Sequence, residues 1–329
     1  MCVKAVALVG RAREHAELTA AWTALPGAGG PQVAVVTGDP GTGKSALVAA
    51  VLGELDPAPV TVLSGQARIH SPAPYDWLAA VLSGRDTRGL PAPAPALAWL
   101  AQHDAAPVER FAPGALLRVA MRVVRHLAGT GPAVLVVEDL HALDPASLNL
   151  VGELAAATGL PALLLVTSRP STDPLVARTL ARLTGTRGAI RAHLGPLRPA
   201  DVAAVLAQVY PGQEIAPAAA REVWNRTGGN AYRLTELVAT TPADDVADLL
   251  STPSAAPDLT AREAEVLVCL RDGMANKQIA RALGISVRTV TVHVSNLMRK
   301  TGTASRTEAA LWAVRHSPSL SSLTSRSHR

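Results

Sequence analysis

The chain has 329 residues, 48% hydrophobic yet only 3% aromatic, with a net charge of +5. That length suggests about two domains, each able to bury its own core. The longest apolar runs, around Val134–Val137 and Ala162–Val166, are too short to cross a bilayer, and Cys2 and Cys269 supply neither a disulfide framework nor a metal site. No basic segment followed by an apolar one opens the chain, so a soluble, cytoplasmic protein without membrane contact is expected. Cys269, inside the apolar run Val266–Leu270, reads as a small buried hydrophobe.

In chain order, short β-branched apolar runs alternate with longer helical patterns. Strands are expected at Val33–Thr37, Val60–Leu63, Ala133–Val137, Leu163–Thr167 and around Ala189–Ala192. Helices are expected between them at Lys44–Leu55, Gly114–Leu127, Ser147–Ala157 and Pro174–Leu183. Strands that are apolar throughout, separated by helices, predict a parallel sheet covered on both faces. Leu90–Pro95, with three prolines among small residues, reads as a loop or extended insertion. From Pro199 the pattern is wholly helical, at Pro199–Gln208, Pro217–Arg226 and Ala231–Leu237. The expected division is 1–197 for the sheet domain and 198–240 for a small helical lid. A linker over 241–257, an all-helical unit over 258–316 and a disordered Ser/Thr-rich tail over 317–329 follow.

The first chemical signal is Gly38-Asp39-Pro40-Gly41-Thr42-Gly43-Lys44-Ser45, which fits G-x-x-x-x-G-K-[ST] between a buried strand and a helix. The glycines let backbone N–H groups converge on phosphates, where the helix N-terminus adds its positive end. Lys44 is placed to reach the β- and γ-phosphates, and Ser45 to hold Mg²⁺ through its hydroxyl. A second strand ends in Glu138-Asp139. A carboxylate at the tip of a neighbouring strand suits a phosphate-bound Mg²⁺, so Glu138 is expected in the metal shell and Asp139 as the base for an attacking water. A third strand delivers Ser168-Arg169 to the same sheet edge. Arg169 reads equally as a γ-phosphate sensor or as a surface arginine.

These residues carry a resemblance. Leu8-Val-Gly-Arg11, the phosphate loop, Val134–Asp144, Val166–Arg169, Leu194–Leu197 and Thr227-Gly-Gly-Asn230 follow the order seen in STAND-class, AAA-type P-loop ATPases. In particular the segment resembles the ATPase part of the large ATP-binding LuxR-family regulators. The resemblance implies an α/β P-loop NTPase fold binding ATP, with Gly10 and Arg11 near the nucleotide and Gly228-Gly229-Asn230 in the lid. Glu138 stands where many members carry Asp, and Ala231 where the family usually has Pro.

The net charge is unevenly spread. Residues 259–329 hold 11 Lys/Arg against 4 Asp/Glu, whereas residues 1–258 hold 20 against 22. A basic C-terminal piece suggests a polyanionic partner. Within it, a helix from about Leu259 to Arg271 is closed by Gly273, a second spans Asn276–Leu283 before Gly284, and Ser286 caps a third over Val287–Lys300 that Gly302 ends. Two helices joined by a tight Gly-containing turn predict a helix-turn-helix. On the third helix Val290, Val294 and Leu297 share one stripe, leaving Arg288, Thr291, Val292, Ser295 and Arg299 on the other side. That outer face suits a major groove: Thr291, Val292 and Ser295 toward base edges, Arg288 and Arg299 toward guanine or phosphate. Lys277, Lys300 and Asn276 are expected phosphate contacts, and Asn296 belongs to the same surface.

Leu259–Leu267, Asn276–Ala280, Leu283–Ser286 and Thr289–Lys300 are similar, nearly end to end, to the LuxR-type DNA-binding domain. Members often carry lysine where Thr291 stands and a capping Ser where Ala275 stands. By resemblance, the fourth helix, opened by the capping box Ser305–Glu308, packs the core through Ala309, Leu311 and Trp312 and supports a homodimer or higher oligomer on double-stranded DNA. The expected protein is an ATP-binding, sequence-specific transcription regulator in which nucleotide state controls DNA binding. Two alternatives stand beside it: a DNA-dependent ATPase whose output is hydrolysis, and a DNA-binding regulator with an inactive ATPase domain. Related large regulators place a winged helix and a helical-repeat sensor between lid and reader; here only residues 231–258 separate Asn230 from Leu259, so neither is expected.

Overall fold

The computed structural model describes residues 8–25, 29–66, 73–102, 111–240, 246–251, 259–301, 303 and 305–315. The chain divides into two compact units, residues 1–250 and 251–329. Cys2, Gly302 and the tail 317–329 lie outside the described residues.

The first unit is built on five strands: β1 (Gln32–Gly38), β2 (Thr61–Gln66), β3 (Ala133–Glu138), β4 (Ala162–Ser168) and β5 (Ile190–Leu194). All pair in parallel, in the order β2-β3-β4-β1-β5. Because successive side chains point to opposite faces, each apolar strand feeds two cores. Ala34, Val36, Val134 and Val136 meet helices α1 (Ala12–Thr23) and α2 (Lys44–Glu54) through Leu18, Trp22, Leu47 and Val51. Val33, Val35, Leu135 and Val137 meet the opposite layer. That layer comprises α3 (Asp76–Leu82), α4 (Ala94–Leu100), α5 (Pro113–Ala128), α6 (Pro145–Ala155) and α7 (Pro174–Thr184).

Several elements differ from expectation. Val60 lies outside β2 and is 72% exposed. Helix α4 begins at Ala94, inside the stretch expected as a loop, because Pro93 supplies the extended residue before the first turn. Helices α1, α3 and α4 had no counterpart in the sequence reading, and α3 and α4, at seven residues each, are too short to show a period. The strand bearing Glu138 is also not the neighbour of the phosphate-loop strand: β4 lies between β1 and β3.

The lid consists of α8 (Pro199–Val209), α9 (Pro217–Thr227) and α10 (Ala231–Thr240), packed around Val202, Leu206, Tyr210, Val223 and Leu234. Helix α11 (Val246–Ser251) lies within the expected linker, and its Val246 and Leu249, three residues apart, join the same core.

The second unit holds α12 (Ala261–Arg271), α13 (Asn276–Leu283), α14 (Val287–Thr301) and α15 (Arg306–Arg315). Its core joins Leu267, Leu270, Ile279, Val290, Leu297 and Ala309, with Cys269 also buried.

Candidate nucleotide and nucleic-acid sites

The loop between β1 and α2 takes the shape its glycines permit. Gly38, Gly41 and Gly43 have φ of 157°, 77° and 94°. At Gly41 a Cβ would sit 2.4 Å from the Asn230 side-chain oxygen, so only glycine fits. Lys44 is buried and donates to the carbonyls of Gly38 (2.9 Å) and Asp39 (3.0 Å). Burial pulls its ammonium below the ordinary lysine value; Asp139 opposes this and Arg169 adds to it. Thr42 is buried and donates to the Asp39 carbonyl, while Pro40 offers its carbonyl to Asn230.

Although β4 intervenes, the expected metal pair meets: Ser45 Oγ donates to Glu138 Oε2 at 2.5 Å. The next residue, Asp139, turns the chain at φ 51° and donates its N–H to Thr167 Oγ1 on β4 (3.1 Å). Asn and Asp tolerate this left-handed conformation better than other side chains. The corner is anchored by Asp144, whose carboxylate accepts N–H bonds from Ala146 and Ser147 of α6 and from Tyr75 and Asp76 at the start of α3. Arg169 is exposed at the end of β4, and its N–H meets His141 Nδ1 (3.3 Å).

His141 and Gln66 had no assigned role in the sequence. His141 Nδ1 lies 3.9 Å from Asp139 Oδ1, and Gln66 Nε2 donates to Asp139 Oδ2 at 3.4 Å. Burial lowers the His141 pKa, with Arg169 and Lys44 reinforcing and Asp139 opposing. The only available signal was position: each stands at the carboxyl end of a strand or just beyond it.

Arg11 and Gly10 stand at the other side of the loop. The Arg11 guanidinium is buried and donates to the carbonyls of Thr42 (3.2 Å) and Gly195 (2.5 Å). Gly10, at φ 71°, presses on Asp201, where a Cβ would lie 2.7 Å from the carboxyl carbon. Side-chain bonds from Arg198 hold the Asp201 carboxyl below its ordinary value. An apolar pocket of about 140 Å³ opens beside the loop, lined by Leu8, Val9, Ala46, Leu197, Ala231 and Leu234 among others. The lid reaches the loop directly. Asn230 Nδ2 donates to Pro40 O at 2.8 Å and the Tyr232 N–H donates to Gly41 O at 2.9 Å.

In the second unit Val290, Val294 and Leu297 are buried as their stripe requires. Arg288, Thr291, Val292 and Ser295 are exposed on α14, Asn296 is half-buried, and Lys277 is exposed on α13. The Arg299 side chain lies outside the described residues. Ser286 Oγ accepts the Thr289 N–H, the expected cap.

Two residues are engaged elsewhere. Lys300, expected at phosphate, donates to buried Glu263 at 2.7 Å. Burial alone would raise the Glu263 carboxyl, but bonds from Lys300 and Thr260 outweigh it and hold it below the ordinary glutamate value. The Asn276 amide spans helices instead of facing outward, donating to Thr291 Oγ1 (3.3 Å) and accepting from Arg306 (2.7 Å). Ala275, lacking a capping hydroxyl, is served by Gln278, whose Oε1 accepts its N–H.

Comparison with known proteins agrees with both units. Residues 7–166 match the AAA ATPase domain family, and residues 257–313 match the bacterial regulatory proteins of the luxR family. The chain is 53% identical over 58 residues to the uncharacterized transcriptional regulatory protein YhcZ of Bacillus subtilis, 18% of this chain and 27% of that protein. It is 43% identical over 72 residues to the putative HTH-type transcriptional regulator YhjB of Escherichia coli, 22% of this chain and 32% of that protein. The chain therefore spans about a third or less of the length of these relatives. Among solved structures, the Aeropyrum pernix ORC1 protein in complex with DNA superposes with a TM-score of 0.56 at 16% identity, covering 90% of this chain and 84% of that one. The Aeropyrum pernix ORC2 protein gives 0.53 at 13% identity, covering 95% and 87%. At such identities the likeness is one of fold. Among the described residues no helix is long and apolar enough to cross a membrane.

Proposed function

Since the chain joins an AAA ATPase domain to a luxR-family DNA-binding domain, we propose that it is a transcription regulator whose nucleotide state sets its hold on operator DNA. The carrying observation is the seating of the lid on the phosphate loop through Asn230 and Tyr232. Lys44, which donates to the Gly38 and Asp39 carbonyls, would turn to the phosphates of a bound triphosphate and release the loop that the lid grips. The lid also directly precedes the DNA-binding unit in sequence, which gives the change a route to the reader.

The residues fit ATP with Mg²⁺. A hydroxyl and a carboxylate at hydrogen-bond distance, Ser45 and Glu138, form the hard oxygen set that magnesium takes beside phosphate. Ser45 and Glu138 would hold the ion, which would offset the charge of the phosphates. The pocket beside Leu8, Ala46 and Leu234 suits the apolar faces of adenine. Asp139, held by Gln66 and close to His141, is the base that orients a water, and Arg169 reaches toward the γ-phosphate. Slow hydrolysis resets the switch.

On DNA, α14 enters the major groove with Arg288, Thr291, Val292 and Ser295 foremost, while Lys277 binds phosphate. A dimer would read two half-sites roughly one helical turn apart. Selection from a random duplex pool, with and without ATP, tests the reading; an ATP-dependent consensus is expected, and failure to enrich any sequence overturns the regulator assignment. Lys44→Ala is expected to abolish the ATP effect. If it leaves ATP affinity and DNA binding unchanged, the switch is wrong and the ATPase unit is inert. Rapid DNA-stimulated turnover would instead favour an enzyme whose output is hydrolysis.

A further inference from the structure

The first unit carries a second strongly charged surface, far from the phosphate loop in sequence. Helix α5 presents Arg118, Arg122 and Arg125 outward at spacings of four and three, and α7 presents Arg178 and Arg182. Helix α6 packs against both. Its Glu153 lines one hollow with the three α5 arginines and binds Arg182 at 2.9 Å. Arg182 and Arg178 line the adjoining hollow over α6. The five guanidiniums thus form one continuous patch. Glu153 is the single carboxylate in the three helices, whose sequences otherwise contain no Asp or Glu. No described residue pairs with Arg118, Arg122, Arg125 or Arg178.

This patch is out of keeping with its surroundings, since residues 1–258 are net negative. Unpaired like charges repel one another, so such a cluster is stabilised by a polyanion. Along α5 the three arginines span roughly 10 Å at 1.5 Å per residue, and the α7 row meets them at Glu153, which Arg182 binds at 2.9 Å. The guanidiniums therefore share one exposed face around Glu153, from which they can reach successive phosphates along one side of a duplex.

We propose that the α5–α6–α7 face of the ATPase unit is a sequence-independent binding surface for the phosphate backbone of duplex DNA. The proposal rests on the reading that the chain acts on DNA, but not on recognition by α14. Arginine is suited to this role by its bidentate grip on phosphate oxygens.

The test uses the full chain and random-sequence duplexes of 40 and 12 base pairs, with affinity measured against salt. Arg118→Gln/Arg122→Gln/Arg125→Gln/Arg178→Gln leaves the Arg182–Glu153 pair in place. On the 40-mer, the variant is expected to lose about 3 from the slope of log K against log salt and about 10-fold or more in affinity. Its melting temperature should be no lower than that of the wild type, because mutual repulsion is relieved, and its ATP affinity should be unchanged. A second protein, Lys277→Ala/Arg288→Ala, disables the reader and should keep salt-sensitive binding to the 40-mer, which the four glutamines then remove. Wild-type binding with an unchanged slope in the glutamine variant overturns the patch and leaves the regulator reading intact. Loss of consensus recognition with the patch-dependent slope preserved does the reverse. Displacement of the 40-mer by polyglutamate at lower charge concentration than by competitor duplex assigns the patch to an acidic protein and also overturns the proposal.

Discussion

The side-chain amide of Asn230 donates to the carbonyl of Pro40 across 2.8 Å, joining the start of the lid's last helix to the phosphate loop 190 residues earlier. The same side chain accepts the Arg233 N–H at 3.1 Å, so it caps α10 while it grips the loop. Its neighbour Gly41 has no Cβ because that space belongs to Asn230. Asn230→Ala removes both bonds and is expected to weaken ATP binding by about 10-fold, roughly 1.4 kcal/mol. Calorimetric titration with ATP checks this. Gly41→Ala, which also strains a φ of 77°, should cost more.

Arg169→Ala separates the two readings of that residue. Its exposure means the substitution should move the melting temperature little. If Arg169 senses the γ-phosphate, preference for ATP over ADP should fall by about 10-fold while ADP affinity holds. Equal preference before and after would make it a surface arginine.

Glu263 ties the amino end of α12 to Lys300 near the end of α14. Its folded pKa lies below the ordinary value, so its contribution is complete above about pH 4.3 and fades as pH falls through the lower folded value. The DNA-binding unit should lose stability in that acid window, and Glu263→Gln should flatten the loss. At pH 7 that substitution should cost about 2–3 kcal/mol, read by urea unfolding.

His141 moves in the opposite sense from a paired histidine. Burial lowers its folded pKa, so the unfolded chain takes up the proton first and stability drops as pH falls below about 6.5. Above that pH the ring is neutral in both states and contributes no pH dependence. His141→Asn should reduce the slope of stability below about pH 6.5, measured by thermal melts.

Thr291 is exposed on α14. Thr291→Lys adds one cation to the exposed face of α14 and, if that face meets DNA as proposed, should steepen the salt dependence of DNA binding by about 1. Anisotropy titrations at several salt concentrations measure it directly.

What was legible in the sequence was what local rules decide. The glycines of Gly38–Ser45 dictate a phosphate loop because few other backbones can take their φ values. Short apolar runs set the five strands, and helical periodicity set the buried stripe Val290, Val294 and Leu297. Ser286 announced its helix by capping. Helices α3 and α4 escaped because seven residues hold too little period, and α11 because a polar composition hid an apolar pair. Tertiary structure alone decided which distant groups meet. It set β4 between the two phosphate-site strands yet closed Ser45 onto Glu138, and it paired Lys300 with Glu263. It also seated Asn230 on Pro40 and collected arginines from α5 and α7 around α6. Those contacts depend on strand order and on helices packing across a sheet, and no pattern within a short window of sequence encodes either.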